Sequence, residues 1–171
     1  LAENTLVVYM GDNGFLFGEH GLIDKRNAYE ESIRVPMLAW APGFLDPGTT
    51  TDALVRNIDI APTLLELTGS ATTIPMDGES FLGILQGEAA AGEAGREFLY
   101  EYYWEHAFPH TPTTFALRDD RFKYIYYHGV WDLNELYDLQ ADPKEQHNLI
   151  HLPGFQETRV AMRNRLFDRL E

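Results

Sequence analysis

Leu6-Val7-Val8-Tyr9-Met10-Gly11-Asp12-Asn13-Gly14 opens with five apolar residues that do not alternate, and it ends in a carboxylate, an amide and a glycine. An unbroken apolar run of strand length signals burial on both faces, the habit of parallel sheets, so residues 5–10 are expected in a mainly parallel sheet. A glycine-rich loop from Gly11 to Gly21 follows, then a polar segment around Asn27–Ser32 long enough for one or two helical turns, which Pro36 ends. Met37-Leu38-Ala39-Trp40, closed by Ala41-Pro42-Gly43, is a second apolar run expected in the same sheet. Strand, loop, helix and strand over 5–40 is α/β grammar. A parallel strand needs neighbours, and the chain opens almost directly on this one, so the sequence is expected to begin in mid-fold.

Downstream, Asp59 is placed to N-cap a helix with Pro62 in its first turn, Leu64, Leu65 and Leu67 along it, and Gly69 as its stop. Ser80 to Gln86, followed by Gly87, repeats that pattern at shorter length. Composition then shifts to Ala, Gly and Glu around Glu88–Gly95, an expected exposed connection. It divides the chain into an α/β part over 1–90 and a C-terminal subdomain over 91–171. In the second part Phe98–Trp104, Thr114–Leu117 and Phe122–Tyr127 are aromatic and β-branched runs, with Arg118-Asp119-Asp120 as a hairpin turn between the last two. Roughly 97–137 is expected to form a small antiparallel sheet. From Gln156 to Glu171, Val160 with Phe167 and Met162 with Leu166 and Leu170 outline an amphipathic terminal helix packed on it.

The bulk numbers exclude several classes of function. With 171 residues, 44% hydrophobic and 13% aromatic, the chain is globular. A formal net charge of −14 would repel a phosphate backbone or an anionic membrane face, so nucleic acid is not an expected partner. No apolar run reaches the roughly 18 residues of a membrane span. There is no cysteine, so these residues hold no disulfide, thiolate metal site or cysteine nucleophile.

Three places can carry chemistry. Asp12 and Asn13, at the carboxyl end of the first strand, offer hard oxygen donors suited to Ca²⁺ or Mg²⁺; the same dipeptide before Gly14 also suits an Asx turn. Lys25, behind the glycines of the loop, is a point charge able to neutralise a tetrahedral oxyanion, or a solvated surface lysine. His20 reads first as a loop histidine with a backbone partner. In Tyr100-Glu101-Tyr102-Tyr103-Trp104-Glu105-His106-Ala107-Phe108-Pro109-His110, aromatic rings and polar tips could line a sugar subsite with His110 as its leading residue, or simply be core.

These segments occur in a recognisable order. Asp12-Asn13-Gly14, then Gly18-Glu19-His20-Gly21-Leu22, Lys25, and Tyr29-Glu30-Glu31-Ser32-Ile33-Arg34-Val35-Pro36 closely resemble the sulfatase family of the alkaline phosphatase superfamily. The resemblance continues through Asn57-Ile58-Asp59-Ile60-Ala61-Pro62 and Glu135-Leu136-Tyr137-Asp138-Leu139 to Asp142-Pro143-Lys144-Glu145-Gln146-His147-Asn148-Leu149. The wording of 100–112 and 126–132 is most like bacterial carbohydrate sulfatases of the N-acetylglucosamine-6-sulfatase type.

The resemblance implies the C-terminal part of an alkaline-phosphatase-like α/β sulfatase fold, with an antiparallel C-terminal subdomain and a terminal helix. It implies Ca²⁺, or Mg²⁺, on Asp12 and Asn13, sulfate against Lys25, and hydrolysis of sulfuric esters, with a sulfated small molecule or glycan as partner. It also implies that two further metal ligands and a formylglycine nucleophile, made from Cys or Ser in a Cys/Ser-x-Pro/Ala-x-Arg motif, lie upstream of Leu1. No such motif occurs in the 171 residues. The chain by itself is therefore expected to be inactive and to work with the rest of the catalytic domain. Family habit places such enzymes in the periplasm, outside the cell or in the lysosome. A phosphonate or phosphodiester hydrolase of the same superfamily and a non-catalytic glycan-binding piece are the alternatives.

Overall fold

A computed structural model describes residues 1–87, 96–130 and 132–171. In chain order the elements are β1 Val7–Met10, β2 Leu16–Phe17, β3 Ile23–Asp24, α1 Glu30–Ile33, β4 Met37–Trp40, α2 Ile60–Leu67, α3 Leu82–Leu85, β5 Phe98–Tyr102, β6 Thr114–Arg118, β7 Phe122–Tyr127, β8 Glu135–Asp138 and α4 Gln156–Leu170. They form two compact units: Leu1–Met10 with Pro36–Arg96, and Gly11–Val35 with Glu97–Glu171. The connection expected at Glu88–Gly95, and with it the boundary after residue 90, lies outside the described residues.

In the first unit β1 and β4 pair antiparallel, Val7 opposite Trp40 and Tyr9 opposite Leu38. The expectation that 5–10 and 37–40 share a mainly parallel sheet is thus not met for this pair. A parallel return is usually made through a crossover helix, and α1, the α-helix between these strands, is a single turn of 4 residues. Continuous apolar character had pointed to two-sided burial, which says nothing about strand direction. One face of the ribbon is open: Val7, Tyr9, Leu38 and Trp40 are 48%, 67%, 65% and 51% exposed.

Further along this unit α2 occupies the expected place, and Gly69 closes it with φ 63, a left-handed conformation that costs glycine least. Asp59 does not cap α2 through its side chain. Its fully buried carboxylate turns back to Arg56, accepting from the backbone N–H at 2.9 Å and from Nη2 at 2.8 Å, and it also accepts from Arg96 and from the Glu79 N–H. Burial pushes the Asp59 carboxyl up, but these donors outweigh it and hold the group below the ordinary aspartate range.

The second unit is built around one antiparallel sheet in the order β5-β6-β7-β8. The β6–β7 turn falls where expected, with the Phe122 N–H donating to Asp119 Oδ1 at 2.7 Å. One face of the sheet presents Leu117, Tyr124 and Leu136 to Met162 and Leu166 of α4 and to Ile150. The other face presents Ala116, Ile125, Tyr127 and Tyr137 to Leu16, Ala28 and Tyr29 of the 11–35 segment. The sheet is therefore the middle of three layers. The helix matches its expected extent, yet Val160 is exposed and the buried stripe is Met162 and Leu166.

Candidate functional site

Gly14 explains how the Asp-Asn pair is held. A Cβ at this position would stand 2.0 Å from the Glu31 carbonyl oxygen, so only glycine lets the loop lie against α1. That approach allows the Gly14 N–H to donate to the Ser32 carbonyl at 2.8 Å. The Ser32 hydroxyl in turn donates to the Lys25 carbonyl, which ties three points of the segment together. Lys25 Nζ then donates to Asn13 Oδ1 at 2.9 Å, and Asn13 Nδ2 donates to the Gly14 carbonyl at 2.8 Å. Asp12 accepts from the N–H of the next residue, Asn13, at 3.0 Å, which is not the two-residue span of an Asx turn. Asp12, Asn13 and Lys25 are all exposed, and an ammonium and an amide oxygen meet at one accessible point next to Asp12 in sequence.

The donor set at 12 and 13 suits a hard cation. Asn13 uses its amide N–H₂ on Gly14, leaving its oxygen to the cation side, where Lys25 now sits. One carboxylate and one amide oxygen are two of the 6–8 oxygens that Ca²⁺ takes, so this segment could hold part of such a site and not all of it.

Behind this loop lies a charge cluster that sequence reading missed. Lys123, fully buried on β7, donates to the Ala28 carbonyl at 2.9 Å and lies 2.7 Å from Glu30 Oε1 and 2.7 Å from Glu145 Oε1. Glu145 Oε2 accepts from the Glu30 N–H at 2.7 Å. Burial pushes the carboxyls up. For Glu30, Lys123 and Arg118 outweigh this and hold it low, whereas for Glu145 burial wins. Next to them Glu135 accepts from the hydroxyls of Tyr29, Tyr127 and Tyr137. Burial and the Glu135 charge both raise these tyrosines, so they remain protonated donors.

His20 has φ 54 and stacks on Tyr29 at 3.8 Å between ring centroids. Its Nε2 is 3.6 Å from Glu31 Oε2, and ligand atoms of His20, Glu31 and Glu145 lie within 4.8 Å of one another. The Glu145 charge is already matched by Lys123, whose ammonium would repel a metal ion brought there.

His110 lies in the exposed turn after β5. There the Phe108 N–H donates to the Glu105 carbonyl and the Thr111 N–H to the Phe108 carbonyl. Trp104 and Tyr103 are likewise exposed, while Tyr100 packs against the core. Arg26 lays its guanidinium 3.2 Å from the Phe108 ring centroid, and its side chain is only 17% exposed. Its neighbours in sequence gave no sign of that partner, which lies 82 positions away.

Residues 18–171 match the family model described as N-sulphoglucosamine sulphohydrolase, C-terminal. An N-acetylglucosamine-6-O-sulfatase from Bacteroides thetaiotaomicron is 35% identical over 148 residues, covering 86% of this chain and 26% of that protein. A solved structure described as a complex with its substrate D-glucosamine-2-N,6-O-disulfate superposes with a TM-score of 0.86 at 31% identity, over 98% of this chain and 34% of that one. The phosphonate monoester hydrolase of Agrobacterium radiobacter shares the fold, with a TM-score of 0.82 at 24% identity over 97% of this chain and 35% of that one. The chain spans about a quarter to a third of the length of these proteins. Among the described residues no helix is long and apolar enough to cross a membrane. With a family model matched over 18–171 and sulfatases as neighbours in sequence and structure, the chain belongs to the sulfatase family, as a portion with an alkaline-phosphatase-like sulfatase fold.

Proposed function

We propose that this chain is the C-terminal part of a sulfuric ester hydrolase acting on a sulfated carbohydrate, with Lys25 as a catalytic residue. The observation that carries the reading is the 2.9 Å contact from Lys25 Nζ to Asn13 Oδ1, which brings a cation to the exposed amide oxygen of the Asp-Asn pair. Glycan sulfatase relatives support a sugar as the ester's alcohol, with His110 a contact for it.

Asp12 and Asn13 would hold Ca²⁺, or Mg²⁺, together with ligands from residues upstream of Leu1, where the formylglycine nucleophile is also expected. The bound ion would supply positive charge to a sulfate oxygen. Lys25 keeps a fixed ammonium beside the anion. Charge grows on the bridging oxygen as the S–O bond breaks, so a cation placed there stabilises the transition state more than the ground state. The Gly14 and Ser32 hydrogen bonds hold the lysine's backbone in place before substrate arrives. By family habit, the proposed location is the periplasm, the cell exterior or the lysosome.

The test is Lys25→Ala in the full-length protein, assayed on an aryl sulfate. Both kcat and kcat/KM should fall about 10²–10³-fold, as for loss of one preorganised charge contact. The melting temperature should hold, because the side chain is exposed and Ser32 bonds the backbone carbonyl, which alanine keeps. Near-normal kcat in Lys25→Ala would remove the assignment. Faster turnover of an aryl phosphodiester or phosphonate than of the sulfate would move the protein to the phosphonate hydrolase class instead.

A further inference from the structure

We infer that Arg26 is a positioning residue that sets the aromatic turn over 103–113 at a fixed distance from the sulfate-binding lysine, and thereby determines which sulfated alcohols are accepted. The inference rests on the sulfatase reading above and concerns the part of the substrate beyond the sulfate.

Asp24 Oδ1 accepts from the Lys25 backbone N–H at 2.6 Å and from Arg26 Nη1 at 2.5 Å. One carboxylate oxygen thus fixes two successive residues whose side chains reach different partners. Lys25 reaches Asn13, and Arg26 reaches the turn. In the turn the guanidinium carbon stands 3.2 Å from the Phe108 ring centroid, and Nε is 3.5 Å from Glu105 Oε1, an ion-pair distance without a hydrogen bond.

Phe108 and Glu105 are the two ends of one tight turn, joined by the Phe108 N–H to Glu105 carbonyl bond at 3.0 Å. The base of the segment is closed by the Trp104 N–H donating to Thr113 Oγ1 at 2.9 Å. Clamping 105 and 108 therefore sets where exposed Trp104, His106 and His110 stand. A planar guanidinium is suited to this, since it can stack on a ring and bond a carboxylate in its plane at once, which an ammonium cannot.

Sulfate is common to every substrate of such a site, whereas the alcohol varies. A ring-bearing alcohol attached to a sulfate held at Lys25 is the class that could reach the turn. A hexosamine 6-sulfate fits the chemistry of stacking rings and imidazole tips. Arg26 touches neither the sulfate nor the ester in this account; it acts through Phe108 and Glu105.

The experiment compares the full-length wild type with Arg26→Lys, Arg26→Gln, Phe108→Leu and Phe108→Tyr on N-acetylglucosamine 6-sulfate and on 4-nitrophenyl sulfate. Arg26→Lys, Arg26→Gln and Phe108→Leu should lose about 10–100-fold in kcat/KM on the sugar sulfate, mainly through KM, as expected of a misplaced positioning element. On the aryl sulfate they should stay within about twofold, because the Lys25 end is untouched. Phe108→Tyr keeps the ring and should behave as wild type, which a general packing defect would not predict. An equal loss on both substrates, or no loss on either, overturns the inference while leaving the sulfatase reading intact. A wild type that cleaves neither ester overturns the sulfatase reading, and this inference with it.

Discussion

The two compact units use apolar residues in opposite ways. In the unit of Leu1–Met10 and Pro36–Arg96, the strands are apolar along their whole length, yet one face of the ribbon is open. In the unit of Gly11–Val35 and Glu97–Glu171, polar residues such as Lys123 and Glu135 interrupt the apolar runs of the strands, yet both faces of the sheet are covered. Alternation usually marks a sheet with one wet face. Here the polar member of the central strand is Lys123, which is buried and saturated by Glu30, Glu145 and the Ala28 carbonyl. The period of a strand reports the chemistry of each face. What is stacked on that face decides whether it is wet.

The largest expected effect follows from that lysine. Lys123→Met would leave Glu145 without a cation and Glu30 with Arg118 alone, and breaking a buried pair by removing one partner costs about 3–5 kcal/mol. Denaturant titration of the full-length protein should show the loss in the transition that reports on the 97–171 sheet. A change of less than about 1 kcal/mol would mean that this face is hydrated, and the contrast between the units would weaken.

Much of the second unit was legible in sequence. Arg118-Asp119-Asp120 marked the β6–β7 turn, and the spacing of Met162, Leu166 and Leu170 marked α4. Asn13 and Lys25, singled out by the order of motifs, lie 12 positions apart and meet through one hydrogen bond. Strand direction for β1 and β4 was not legible, since it depends on a connection whose α-helix is one turn long. Lys123 and Arg26 were not either. Each has partners far away in the chain: Lys123 with Glu30 and Arg26 with Phe108. Nothing in Phe122-Lys123-Tyr124 separates a buried lysine from a solvated one. Asp59 had the residue type and place of a helix cap, and its arginine partners drew it elsewhere.

A smaller effect would sharpen the picture of the charge cluster. Glu30 has a carboxyl held below its ordinary value of 4.5, burial working against this and Lys123 and Arg118 prevailing. A group whose folded pKa is depressed adds stability that is complete above the unfolded value and is lost as pH falls through the folded one. Glu30→Gln should therefore cost about 1.5–3 kcal/mol near pH 7, the range for a hydrogen bond to a charged group. The gap to wild type should close below about pH 4.5. Glu145 carries the opposite sign: its raised carboxyl disfavours the folded state as pH rises past 4.5, so Glu145→Gln should cost less at pH 7 than Glu30→Gln. Thermal melts of both variants between pH 3 and 8 test this, and parallel curves would refute the assignment.

The smallest effect belongs to the open ribbon and bears most directly on the contrast between the units. Tyr9 and Leu38 are cross-strand partners on the exposed face, Tyr9 paired with Leu38 in the ladder and both well over half exposed. In the 171-residue chain, Tyr9→Ser and Leu38→Ser should each change stability by no more than about 0.5 kcal/mol, as substitutions away from packed features do. They should also raise its solubility, because an exposed apolar patch on a sheet is an aggregation surface. If upstream residues of the sulfatase domain cover this face, the same substitutions in the full-length protein remove buried apolar side chains and cost about 2–5 kcal/mol. Urea midpoints for both variants in both lengths measure the difference. A large loss in the 171-residue chain would show that the face is already packed there. A small loss in both lengths would show that the continuous apolar runs of β1 and β4 meet no partner on this side, and two-sided burial would fail as the reading of the stretch from Leu6 to Met10.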